Sequence, residues 1–156
     1  MKQAIDELIN CLAMEKDIYQ NCLNLSLLKK DAIIKGDINN LDKIVDDERS
    51  LVITISSLEE KRLKIVSRIS GDENITVADV IKIVQDDGQK HRLLALVQGF
   101  DGIIEECRSI NSTNYSMIKN NLNYISFMMN SILSGDKTYG GKKTGGQKIN
   151  IFDERV

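Results

Sequence analysis

The sequence predicts an all-α protein: an antiparallel, coiled-coil-like bundle of three long helices plus one short helix, with a flexible C-terminal tail. Three observations carry this. The chain of 156 residues has no proline, so nothing removes a backbone donor or fixes φ against a helical turn. Apolar residues recur at three- and four-residue steps over three long stretches, the amphipathic-helix period. Aromatics make up only 4% of the residues, against the aromatic and β-branched strands that a sandwich or barrel requires. The length is that of one core. A net charge of −2 excludes a simple polyelectrolyte partnership with nucleic acid.

The first helix is expected over 2–35. Its stripe is Ile5, Leu8, Leu12, Tyr19, Cys22 with Leu23, Leu27, and Ile33 or Ile34. Gly36 then ends the helix and Asp37 caps the next. The second helix is expected over 38–70, with a near-heptad stripe of Leu41, Val45, Glu48, Val52, Ile55, Leu58, Arg62, Ile65 or Val66, and Ile69. The short Gly36-Asp37 link makes these two an antiparallel hairpin. Glu48 and Arg62, on or beside the seam, read as register-setting or snorkelling side chains. Gly71-Asp72-Glu73-Asn74 is a break, and Thr76-Val77-Ala78-Asp79 resembles a capping box. A short helix is expected over 77–86, with Val77, Val80, Ile81 and Val84 on one face.

The last helix is expected over 89–134. Its stripe is Leu93, Leu96 or Val97, Phe100, Ile103 or Ile104, Cys107, Ile110, Asn114, Met117 or Ile118, Asn121, Ile125 or Tyr124, Met128 and Ile132, with Gly99 and Gly102 marking a kink or a close helix contact. At 1.5 Å per residue the first two helices are each about 50 Å long and the last is near 70 Å. The last helix must therefore kink or extend past the hairpin. Charge changes along it as well. Residues 1–108 carry 20 acids and 15 bases, whereas 109–135 carry only Lys119. The polar positions there are six asparagines and six serines. Two readings fit: an apolar, methionine-containing face that receives protein, or a helix buried between two others with asparagines setting register.

The expected domain organisation is a helical bundle over 1–135 and a flexible, basic Gly/Lys-rich tail over 136–156. Residues 135–148 hold five glycines and four lysines, and the apolar run Ile149-Asn150-Ile151-Phe152 follows them. Asp6, Glu7 and Glu15 interrupt any secretory apolar run, and the longest uncharged stretch, 120–135, is too polar and short to span a bilayer. The chain therefore reads as cytoplasmic, with no stable membrane insertion. Cys11 and Cys22 lie about 16 Å apart on one helix, beyond disulfide reach; with Cys107 they read as small buried hydrophobes. His91 stands alone, without companions at metal-ligand spacing. No nucleophile–base pairing is evident. The run Gly140-Gly141-Lys142-Lys143-Thr144 lacks the order of a phosphate loop. No catalytic residue, metal or cofactor is implied, and the expectation is a protein that is not an enzyme.

Several motifs occur in a specific order: Lys35-Gly36-Asp37-Ile38-Asn39-Asn40-Leu41, then Glu48, then Leu58-Glu59-Glu60-Lys61-Arg62. Asn111-Ser112-Thr113-Asn114 follows, with the apolar stripe to Leu133, then Thr138-Tyr139-Gly140 and Gly146-Gln147-Lys148-Ile149-Asn150-Ile151. In this order they resemble the FlgN family of flagellar type III export chaperones over nearly the whole chain. The final Phe152-Asp153-Glu154-Arg155-Val156 departs from the family pattern. The resemblance implies a cytoplasmic helical chaperone without ATPase activity. Such a protein binds the terminal amphipathic helices of flagellar hook–filament junction proteins, prevents their premature assembly and delivers them to the export gate. A tail tyrosine of the family docks the cytoplasmic domain of the gate, and Tyr139 with Gly140 matches it here. The expected substrate-helix site is Ile118, Leu122, Ile125, Met128, Met129, Ile132 and Leu133, on a monomer or weak dimer that takes no nucleic acid. The competing expectations are an adaptor coiled coil that oligomerises through its third long helix, and a tail-driven binder of nucleic acid or membrane surfaces.

Overall fold

A computed structural model describes residues 1–134, which form four helices: α1 (Lys2–Lys35), α2 (Ile38–Ser70), α3 (Val77–Ile83) and α4 (Asp87–Ser134). No strand occurs among the described residues. The expected tail, including Tyr139, Gly140 and the run from Ile149 to Phe152, lies outside them.

The hairpin forms as the turn chemistry dictates. Gly36 ends α1 at φ 67°, a left-handed conformation that glycine enters without steric cost. Its N–H donates to the Ile33 carbonyl at 3.2 Å. Asp37 Oδ1 accepts the Asn40 N–H at 3.1 Å, capping α2. Contacts then pair rising α1 numbers with falling α2 numbers: Glu7 with Arg68, Glu15 with Arg62, Lys29 with Glu48. The two helices are antiparallel.

The capping box is also present. Thr76 Oγ1 accepts the Asp79 N–H at 3.2 Å, and Asp79 Oδ2 accepts the Thr76 N–H at 3.3 Å. α3 is shorter than expected, because Val84 is already extended. Asp86 does not end a helix but caps the next one, its Oδ1 accepting the Gln89 N–H at 2.9 Å. α4 consequently starts at Asp87, with Gly88 in its first turn.

Helix α1 is the central element, packed against both α2 and α4, while α2 and α4 share no backbone-level contact among the described residues. The core is densest at the α3 end. There Ile5, Leu8, Ile9 and Leu12 meet Ile65, Val66, Ile69, Val80, Ile81, Val84 and Leu93. It reaches Tyr19 and Phe100, whose rings meet edge-on at 5.7 Å. Towards the Gly36 turn burial thins, and the expected stripes are corrected. Leu27 is exposed, and Ile33 rather than Ile34 is buried. In α2, Ile44 is buried in place of the expected Val45, and Val52 is exposed. The physical reason is that this half of α2 faces one helix alone, which covers a narrower stripe than a full bundle does.

Besides the exposed Glu7–Arg68 pair, two ion pairs with a buried member cross the hairpin. Arg62 Nη1 lies 3.2 Å from Glu15 Oε2, and Lys29 Nζ lies 2.9 Å from Glu48 Oε2. Glu15 and Lys29 are almost fully buried. Burial pushes the Glu15 carboxyl above its ordinary range, opposed by Arg62, and pushes the Lys29 ammonium below its own, opposed by Glu48. Glu48 and Arg62 thus reach in from α2 to meet buried opposite charges. A one-turn slip would leave those charges unpaired, which fixes the register.

Candidate functional site

Helix α4 runs parallel to α1 with a constant offset. Gln89 Nε2 donates to the Lys2 carbonyl at 3.0 Å and to Asp6 Oδ1 at 2.9 Å. Cys107 Sγ meets the Tyr19 carbonyl at 3.8 Å, and Asn114 Nδ2 donates to the Ser26 carbonyl at 2.9 Å. The sequence offset is 87 at the first of these contacts and 88 at the other two. On this offset Lys35, the last residue of α1, is level with residue 122 or 123. Helix α4 continues to Ser134. About a dozen residues therefore project some 18 Å beyond the helix that supports them, at 1.5 Å per residue. Of the two expected outcomes for the long helix, extension is the one found. Gly99 lies under the flexible end of the Lys16 side chain of α1, whose Nζ would be 2.6 Å from a Cβ there, and a Cβ at Gly102 would meet nothing within 4 Å, so neither glycine marks a close approach of helix backbones.

The projecting stretch keeps the stripe that packs the rest of α4. Phe100, Cys107 and Asn114 face α1 at seven-residue spacing and are buried. Continuing by three and four gives Ile118, Leu122, Ile125, Met129 and Ile132, with Met128 and Leu133 at the edges. Ile118 is half-buried. Beyond it every candidate is open: Ile125 is 55% exposed, Met129 54%, Ile132 67% and Leu133 62%. Leu122 and Met128 are exposed as well. The structure brings these seven side chains onto one face. Tyr139 and Gly140, the expected docking residues, lie outside the described residues.

Polar chemistry marks where support ends. Ser26 Oγ donates to Asn111 Oδ1 at 2.9 Å, beside the Asn114 bond to the Ser26 carbonyl. Asn114 Oδ1 is buried without a hydrogen-bond partner among the described residues. The Asn-x-x-Asn spacing therefore sets the α1–α4 register just before the projecting stretch begins. Ser26 is the partner that sequence reasoning missed, because a lone serine mid-helix carries no pattern. Tyr124 and Phe127, both exposed, also fall outside the expected site; Tyr124 flanks the stripe beside Met128, whereas Phe127 lies on the opposite face of the helix.

Among the described residues, the thiols and the histidine offer little further chemistry. Burial raises the thiols of Cys11, Cys22 and Cys107, that of Cys22 to about 11. All three are therefore poor nucleophiles at neutral pH. His91 is exposed at the start of α4. Among the described residues no cluster of three or more His, Cys, Asp or Glu side chains is placed to hold a metal ion, and no helix is long and apolar enough to cross a membrane. What the exposed stripe can do is bury apolar surface. Each side chain is already partly covered by its own helix and gains about 1 kcal/mol when a partner covers the rest.

Comparison with known proteins identifies the setting. Residues 1–145 match the family described as FlgN protein. The chain belongs to the FlgN family. This is a family of flagellar export chaperones, not of enzymes, and membership assigns the chain that general role. The chain is also similar to the uncharacterized protein YvyG of Bacillus subtilis (strain 168), at 21% identity over 146 residues, covering 89% of this chain and 91% of that protein. No solved structure matches the chain significantly.

Proposed function

We propose that this FlgN-family protein binds the terminal amphipathic helices of flagellar hook–filament junction proteins in the cytoplasm, along the projecting face of α4. The observation that carries the reading is the continuation of the α4 packing stripe beyond the end of α1. A stripe of that periodicity accepts the apolar face of a second helix in the way α1 accepts α4. Ile118, Leu122, Ile125, Met128, Met129, Ile132 and Leu133 form the contact. The methionines let one surface take more than one partner sequence. Lys119 is the only charge in this stretch, so binding buries few charged groups.

In this reading the chaperone covers an apolar helix that its substrate needs only after assembly. Residues 136–156 then form a separate basic tail. Within it, Tyr139 and Gly140 dock the cytoplasmic domain of the export gate, so that delivery and substrate capture use different residues. No catalytic step or cofactor is involved.

Isothermal titration of the full chain with a peptide carrying the C-terminal helix of a junction protein tests this. The expected result is 1:1 binding at micromolar affinity or tighter, with a negative ΔCp from apolar burial. Ile125→Asp with Met129→Asp abolishes that heat while circular dichroism stays unchanged. Unchanged binding in this variant would sink the reading. A stable dimer or tetramer that buries 118–133 and ignores the peptide would replace it with an adaptor coiled coil.

A further inference from the structure

The open stripe lies next in sequence to the chain that follows it. We propose that the free protein covers the projecting face of α4 with its own C-terminal segment, residues 149–154, and that a partner helix must displace this segment to bind. The contact between segment and stripe stands on its own; the displacement rests on the reading of the stripe as a substrate site.

Three observations argue for this occupant. The first is position. The stripe ends at Leu133 and the remaining chain, 22 residues from 135 to 156, leaves from the same helix end. Fourteen residues, 135–148, separate Ser134 from Ile149. A Gly-rich sequence of that length has a coil span of about 20 Å, comparable with the projecting stretch of α4. Linkage of this kind presents a segment at an effective concentration on the order of a millimolar. Even a contact that is weak between separate molecules is then substantially populated.

The second is apolar content. In residues 135–156, apart from Tyr139, Val156 and the threonines, the apolar side chains are Ile149, Ile151 and Phe152. Ile149 and Ile151 alternate, so an extended segment places both on one face, a patch of a size to lie across Ile125 and Met129, with Phe152 at its edge on the other side.

The third is charge. Asp153 and Glu154 directly follow Phe152, and residues 109–134 hold no acid and the single base Lys119. Lys119 is exposed and has no ion-pair partner among the described residues. Running back along α4 in extended form, residues 149–154 cover about 17 Å at roughly 3.3 Å per residue. That equals the axial distance from about residue 130 to Lys119 at about 1.5 Å per residue. With the isoleucines over the stripe, Asp153 lies on the same face and arrives at the one cation available there, with Glu154 next to it.

The test is amide hydrogen exchange on the full chain, read over 118–133. Two full-length variants are compared with the parent: Ile149→Ser/Ile151→Ser/Phe152→Ser, and Asp153→Lys/Glu154→Lys. Both variants are expected to speed exchange in this stretch at least about twofold, leaving 5–35 and 55–107 unchanged. Equal exchange in all three proteins overturns the proposal. So does protection that grows with protein concentration and survives in the variants, because a second copy would then be the cover. Titration with the junction-protein peptide separates this proposal from the functional reading. Tighter binding to the triple-serine variant, by about the same factor, supports displacement. Faster exchange in the variants with no peptide binding to any of the proteins keeps the self-cover and ends the substrate reading. Equal exchange with undiminished peptide binding does the reverse.

Discussion

The two ends of the bundle are built on opposite terms. At the α3 end four helices converge, and Leu8, Val80 and Leu93 have no exposed surface. Helix termini there are closed by side chains: Thr76 and Asp79 on α3, and Asp86 on α4. At the Gly36 end only α1 bridges its neighbours, and Leu27, Leu28, Ile34 and Ile38 are exposed. Packing there relies on polar and charged devices: the Lys29–Glu48 pair and the Ser26, Asn111 and Asn114 set. Helix α4 then leaves the bundle altogether. Stability is concentrated where the chain closes on itself, and apolar surface is left open where it does not. If the projecting stripe is the binding face proposed above, its stability is supplied from elsewhere in the molecule, by the α3 end.

The contrast is broken most directly by truncating one residue from each end. Leu8→Ala removes a fully buried side chain and costs about 3 kcal/mol of unfolding free energy. Ile132→Ala, on the open stripe, changes stability by less than about 0.5 kcal/mol. Urea denaturation followed by circular dichroism measures both. A comparable loss in the two variants would mean that the projecting stretch belongs to the folded core.

Between the ends, Arg62→Ala leaves the buried Glu15 carboxylate without its cation, at a cost of about 2 kcal/mol near pH 7. The sign of its pH dependence follows from Glu15. Desolvation raises its carboxyl in the folded state, with Glu59 adding to the rise and Arg62 opposing it. A group whose folded pKa is raised contributes stability below its unfolded pKa and loses that contribution as pH rises through the folded one. The deficit of Arg62→Ala relative to the parent therefore shrinks as pH falls from 7 into the carboxylate range. Urea titrations of both proteins at pH 7 and pH 4.5 check this, and other carboxylates common to both cancel in the difference. A deficit independent of pH would show that Arg62 acts by packing its stem alone.

How far the sequence speaks differs along the chain for physical reasons. The Gly36-Asp37 turn and the Thr76 capping box are legible because local geometry demands those residue types. The long stripes are legible as helices. Periodicity does not decide between neighbours such as Ile33 and Ile34, or Val45 and Ile44, because a rotation by one residue keeps the period. Glu48 and Arg62 are legible on the seam, yet Glu15 and Lys29 opposite them are not, since a buried charge looks like any other charge in sequence. The seven candidate residues are visible as a stripe. Their exposure is not, because it depends on where α1 ends relative to α4, and that offset is set by contacts such as Gln89 with Lys2 and Asn114 with Ser26.

The smallest effect is the most local one, and the cysteines report it. Cys11 lies in the dense core against Leu58, whereas Cys107 and the partly buried Cys22 sit nearer the Gly36 end. A thiol reacts as thiolate and only when reached, so its labelling rate in the native protein measures local opening. If the Gly36 end opens more readily, Cys22 and Cys107 are labelled before Cys11, by a factor of about 10 for a difference near 1.4 kcal/mol. Burial pushes the Cys22 thiol up to about 11, so its rate keeps climbing between pH 8 and pH 10 instead of levelling near pH 9. Mass-spectrometric labelling with iodoacetamide under native conditions resolves the three sites. Simultaneous labelling of all three at one rate would mean that the bundle opens only as a whole, and the two ends would then differ in composition but not in cooperativity.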